Sequence, residues 1–151
     1  MRRSEREIMN RSEIDAIIRS CQVCRVGLVD GSEPYIVPMS FGYDGECFSF
    51  HCAPAGRKLD LLRRNPRVCV ELDEVVRMVE AENACGWSMH YRSVMGAGVA
   101  EIIEGAEAKR AGLTVIMNQY TDREPPFTAA AVERVCVFRV RPDSLTGKQS
   151  L

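Results

Sequence analysis

No stretch of this 151-residue chain approaches the roughly 20 apolar residues that a membrane-spanning helix needs. The N-terminal MRRSEREIMNRSEID is charged throughout and lacks the apolar core of a secretory signal, so the cytosol is the expected compartment. Charge of one sign is not in excess either. The formal net charge of −1 gives no broad field toward nucleic acid or an anionic membrane, and neither is expected as a partner. Internal repeats, low-complexity tracts and linkers are missing, so residues 1–151 are read as a single domain. Histidine is confined to His51 and His90 and tryptophan to Trp87. Core packing is the commoner use of tryptophan, although Trp87 could also stack on a ring. The seven cysteines are odd in number, which fits thiols in a reducing compartment. Cys21-x-x-Cys24 has no second CxxC at matching spacing and runs from a helix end into a strand, so no metal site is expected.

What is present is a succession of short strands. Ser12 to Arg19 forms an amphipathic helix, with Ser12 as N-cap and Ile14, Ile17 and Ile18 as its apolar stripe. Val23 to Val29 reads as a strand ended by the Asp30-Gly31 turn. A second strand covers Pro34 to Tyr43, with Pro38 marking an edge or bulge. Asp44-Gly45 leads into a third, Glu46 to Cys52, in which Phe48 and Phe50 share one face and Cys47, Ser49 and His51 the other. A helix over Gly56 to Asn65 turns Leu59 and Leu62 inward. Val68 to Val75 alternates as the fourth strand, and Trp87 to Ile103 is a long fifth in which Gly96 and Gly98 signal a bulge or sharp bend. Glu104 to Tyr120 is read as a helix with Ala108, Ala111 and Val115 on its inner side. Asp122 to Thr128 is a loop, and a last strand runs from about Val132 to Val140. Hairpin connections dominate, which points to a mainly β architecture: a small antiparallel barrel with helices outside it.

The stretch Pro34 to Lys58 carries the functional signal. Arg57 and Lys58 stand at the start of a helix, where the macrodipole disfavours cations. A bound anion between them and the free N–H groups would resolve that conflict, and phosphate is the usual one. Two side chains simply solvated in water are the alternative. The proline-interrupted edge at Pro38-Met39-Ser40 leaves backbone groups free for a flat heteroaromatic ring, or for water.

PYIVPMSFGYD, FHCAPAGRKLDLLRRNPRVCVELD, YRSVMGAGVAEII and LTGKQ together resemble the flavin-binding split-barrel proteins related to pyridoxamine 5′-phosphate oxidase, in particular their nitroimidazole-resistance (Nim) branch. The resemblance spans Ser12 to Lys148. It implies a six-stranded split barrel and a homodimer with two flavin mononucleotide (FMN) sites in the subunit interface. It also implies that Val37, Pro38, Met39 and Ser40 lie along the isoalloxazine ring. His51, Ala53, Gly56 and Lys58, with Arg57, would lie near the flavin and its phosphate, and Tyr91, Arg92, Ser93 and Val94 would complete the pocket. Ser93 or Ser49 could add a hydrogen bond to the phosphate.

The function expected from the resemblance is an FMN-dependent oxidoreductase that reduces small organic acceptors, nitroimidazoles and other nitroaromatics among them, with a nicotinamide donor or redox partner as electron source. His51 is the candidate proton donor, because only histidine titrates near neutral pH unperturbed. A flavin-binding protein for storage or sensing, or a haem-binding relative using His51 or His90, are the competing readings. Oxidation of pyridoxamine phosphate itself is not expected, since no counterpart of those enzymes' substrate-binding C-terminal segment follows Val140.

Overall fold

The structure is a computed structural model and describes residues 3–123 and 125–151. After a single 3-10 turn at Ser4–Arg6, the chain forms β1 (Glu7–Ile8), α1 (Arg11–Ser20), β2 (Cys24–Asp30), β3 (Glu33–Met39), β4 (Phe41–Tyr43) and β5 (Phe48–Cys52). It continues through α2 (Arg57–Arg64), β6 (Arg67–Val79), β7 (Ser88–Ile103), α3 (Ala106–Asn118), α4 (Ala129–Glu133) and β8 (Cys136–Ser150). All strand pairs are antiparallel, in the order β3-β2-β6-β7-β8-β5-β4, with β1 paired to β8.

The two ends of that order, β3 and β4, are consecutive in the chain and separated only by Ser40. At Ser40 one bent strand leaves β2 and joins β5, so the sheet closes on itself as a split barrel. Counting β3 and β4 as that one strand, and setting aside the two-residue β1, gives the expected six. Pro38 explains the split: it lacks an N–H, and β3 pairs with β2 alone. Beyond Ser40 the freed Phe41 N–H donates to Tyr120 Oη at 2.9 Å, and Tyr120 Oη donates to Gln22 O at 2.8 Å. Tyr120 is therefore structural.

Alternation decides what fills the barrel. Val26, Phe41, Phe48, Phe50, Val70, Leu72, Val94, Phe138 and Val140 are fully buried, and the rings of Phe50 and Phe138 stack at 5.0 Å. Burying each phenylalanine is worth roughly 1.5–3 kcal/mol. A second, smaller core of Leu113, Ile116, Val132 and Val137 holds α3 and α4 against the outside of the wall.

Several boundaries differ from the sequence reading. The N-cap of α1 is Asn10, whose Oδ1 accepts from Ser12 N at 2.9 Å and from Ser12 Oγ at 2.7 Å. In α3 it is Leu113 and Ile116 that are buried, because the larger aliphatic chains reach the sheet, while Ala108 and Ala111 stay exposed. Val132 belongs to α4, capped by Thr128, and not to the last strand. Strand β8 instead runs on to Ser150 because β7 and β1 both supply partners there. Pro142 is accommodated at a register shift opposite Ala97 and Gly98, the irregularity that the two glycines signalled. Trp87 is not packed in the core: it is half-exposed, with its indole N–H on Ala81 O at 2.8 Å. Of the loop expected over Asp122–Thr128, Glu124 lies outside the described residues. No helix among the described residues is long and apolar enough to cross a membrane.

Candidate functional site

Strand β5 ends at Cys52, and the loop Ala53-Pro54-Ala55-Gly56 turns the chain into α2. Gly56 sits at φ 124°, a left-handed conformation that a side chain rarely adopts, which is why glycine stands there. No side chain caps α2, so the N–H groups of its first turn have no side-chain acceptor. A pocket of about 250 Å³ opens at this end, lined by Tyr35, Cys52, Ala53, Ala55, Gly56, Arg57, Lys58 and Leu59.

The two cations at this end behave differently. The Arg57 guanidinium stacks over the Tyr35 ring at 4.5 Å and pairs with Asp30 at 3.0 Å. Arg64 reaches the same carboxylate at 3.0 Å. Asp30 is accordingly held below the usual aspartate range, first by the Arg57 hydrogen bond and then by Arg64. The conflict with the macrodipole is thus partly resolved by the protein itself at Arg57. Lys58 is half-buried, and its Nζ lies 3.5 Å from Met39 Sδ, a weak acceptor. Among the described residues no carboxylate lies within ion-pair distance of it. An ammonium with a thioether for company, beside an uncapped helix start, fits a phosphate by charge and by donor geometry.

Val37 and Met39 point into the barrel, whereas Pro38 and Ser40 are exposed. His51 is exposed on the opposite side of β5 from Phe50 and Cys52, so within one chain it does not line the loop pocket. Tyr91, Arg92, Ser93 and Val94 are in β7, three strands from β3, or about 14 Å at 4.8 Å per strand. Arg92 and Val94 turn inward; Arg92 Nε lies 2.6 Å from Glu74 Oε1, and Val94 is fully buried. Tyr91 and Ser93 share the outward parity of Met95. The Tyr91 phenol is pulled below its usual value by Lys148, with Arg6 contributing. Ser49 is buried beneath α3 and lines a different, larger groove of about 540 Å³ with Ala108, Ala111 and Val115. That groove holds none of the cations at the start of α2.

Sequence reasoning missed Tyr35 and Asp30. Asp30 registered only as half of a turn signal, although its separation from Arg57 is bridged by the hairpin's return. Tyr35 shares the inward alternation of Val37 and Met39, a pattern that was available. The CxxC cysteines are structural: Cys24 is buried, and desolvation pushes its thiol up to about 12. No cluster of three metal-ligating side chains exists among the described residues.

Residues 10–149 match the family model described as pyridoxamine 5′-phosphate oxidase. The chain belongs to this family. A proposed 5-nitroimidazole antibiotic resistance protein from Bacteroides thetaiotaomicron VPI-5482 is 36% identical and superposes with a TM-score of 0.86, over 95% of this chain and 86% of that one. The flavocytochrome Anf3 from Azotobacter vinelandii (22% identity, TM-score 0.87) is matched over 100% of this chain and 72% of its own length. The FAD and heme binding protein from Mycobacterium smegmatis (21%, TM-score 0.86) is matched over 96% and 73%. At those lower identities the likeness shows the fold alone. No curated protein matches the chain in sequence.

Proposed function

We propose that this member of the pyridoxamine 5′-phosphate oxidase family is an FMN-binding oxidoreductase that acts as a homodimer on small organic acceptors, nitroimidazoles among them. The observation that carries the reading is the Lys58 ammonium, without a carboxylate among the described residues, beside the uncapped start of α2. Bound flavin would supply the electron transfer, with a nicotinamide donor or redox partner as source. Lys58 and the first-turn N–H groups would hold its phosphate, while Arg57, fixed by Asp30 and Tyr35, would shape the pocket mouth. The resistance relative supports the choice of acceptor.

The homodimer is supported by the outer face of the sheet. In the matched registers Val29, Gly27, Ile36, Pro38, Cys69, Met95, Ala97 and Val99 all point outward, and Ile36, Met95 and Val99 are at least half-exposed or nearly so (64%, 52% and 49%). The charged residues among them are paired with one another, Arg25 with both Glu71 and Asp73. Tyr91 and Ser93 continue this face, so a second copy seated on it would bring them toward a site that one chain leaves incomplete. Haem is less well served. His51 is exposed, and the Nδ1 of His90 accepts from Arg77 at 3.3 Å.

The visible spectrum of protein purified without added cofactor tests the class of cofactor: flavin bands are expected, and a Soret band would transfer the assignment to haem. Lys58→Ala tests the site. It should weaken FMN binding by roughly 10- to 100-fold, the worth of a hydrogen bond to a charged group, and leave riboflavin binding nearly unchanged. Equal losses for both ligands would remove the phosphate assignment.

A further inference from the structure

Cys52 closes β5 and Cys136 opens β8, and the two are directly opposed in the register of that pair. Residues so opposed have Cα atoms about 4.5–5.5 Å apart, within the roughly 4.4–6.8 Å that a disulfide spans. Their access to solvent differs. Cys52 is half-buried and lines the pocket at the start of α2, whereas Cys136 is buried, 7% exposed. No other pair among the seven cysteines is opposed in this way in any matched register.

We propose that Cys52 and Cys136 form a redox dithiol, a site for low-molecular-weight disulfides, in which Cys52 attacks first under the charge of Lys58 and Cys136 resolves. The Cys52 thiolate attacks one sulfur of the small disulfide, forming a mixed disulfide and expelling one small thiolate. The Cys136 thiolate then attacks the Cys52 sulfur, forming the Cys52–Cys136 bond and expelling the second small thiolate. The two protons lost by the cysteines are taken up by the two leaving thiolates. The cysteines are oxidised and the small disulfide is reduced. The order follows from access, since a reagent entering the pocket meets Cys52 and not the buried Cys136.

The chemistry also fixes when the pair reacts. Burial, then the neighbouring Cys136, pushes the Cys52 thiol up to about 11, while Lys58 acts in the opposite direction. At neutral pH the pair is therefore slow to exchange, and it quickens as pH rises. Lys58 thus serves this thiol directly, whether or not a phosphate ever binds there.

The test uses the full chain without added ligand, incubated with excess 2-hydroxyethyl disulfide at alkaline pH. Linkages are mapped by mass spectrometry of unreduced peptides. A Cys52–Cys136 linkage is expected in the wild type, and a stable mixed disulfide at Cys52 in Cys136→Ser. Lys58→Gln should slow formation of the link several-fold. A wild-type chain that keeps a mixed disulfide at Cys52 with Cys136 still free, or that links Cys21 to Cys24 instead, overturns the proposal. So does a link whose rate Lys58→Gln leaves unchanged, because Cys52 would then not be the thiol activated at this loop. FMN binding enters none of these readouts, so they stand apart from the fate of the flavin reading.

Discussion

Asp30 shows how much one side chain can organise. It accepts from Arg57 Nε at 3.1 Å and from Arg64 Nη2 at 3.0 Å, tying the β2–β3 turn to both ends of α2. Its folded-state pKa is depressed, so the stability it contributes is fully present above the unfolded aspartate value of about 3.9 and is lost as pH falls through the lower folded value. Urea titrations of wild type and Asp30→Asn should therefore differ by a constant amount above about pH 5 and converge below about pH 4. Curves that separate further in acid would reverse the sign of this argument. His51 is tested through function. If it relays protons, His51→Ala should lower turnover with a nitroimidazole at least tenfold, roughly the lower reach of general acid catalysis, while FMN affinity changes little. Undiminished turnover would leave His51 a surface residue.

At the scale of elements, local pattern located most of the strands because burial follows alternation: Val68, Val70 and Leu72 are inside, and Cys69 and Asp73 are not. The helix α2 was legible from Leu59, Leu62 and the glycine before it. What alternation could not supply was pairing. The length of β8 depends on β1 and β7 lying beside a polar segment, RPDSLTGKQS, whose own residues carry little strand signal. The same holds for the site: the loop was readable as a local motif, but its separation from Tyr91–Val94 is set by strand order. The contact of α3 with the barrel is another long-range feature. Gly42 approaches the Val115 carbonyl so closely that any Cβ there would overlap helix backbone. Gly42→Ala should cost roughly 1–3 kcal/mol, measured by thermal unfolding, with loss of the Tyr120 anchor to Phe41. A neutral result would mean that α3 can slide away from β4 freely.

For the whole molecule, the decisive surface is the outward apolar sheet face. A monomer rarely leaves so continuous a patch uncovered. If the proposed dimer forms on it, placing a charge there by Met95→Lys should yield a monomer in sedimentation velocity and weaken the proposed FMN binding, since Tyr91 and Ser93 border the same face. A variant that sediments as the wild type does would separate that face from assembly. Closure of the barrel carries a consequence of its own. Synthesis delivers β8 after every strand that it joins: β1 and β5, far upstream, and β7. Until it emerges, the β4–β5 hairpin has α3 on its outer side but no β8 strand beside β5, and Phe50 lacks the Phe138 ring it stacks on. The chain fastens its longest-range zipper last, so this protein should fold slowly for its size in stopped-flow refolding.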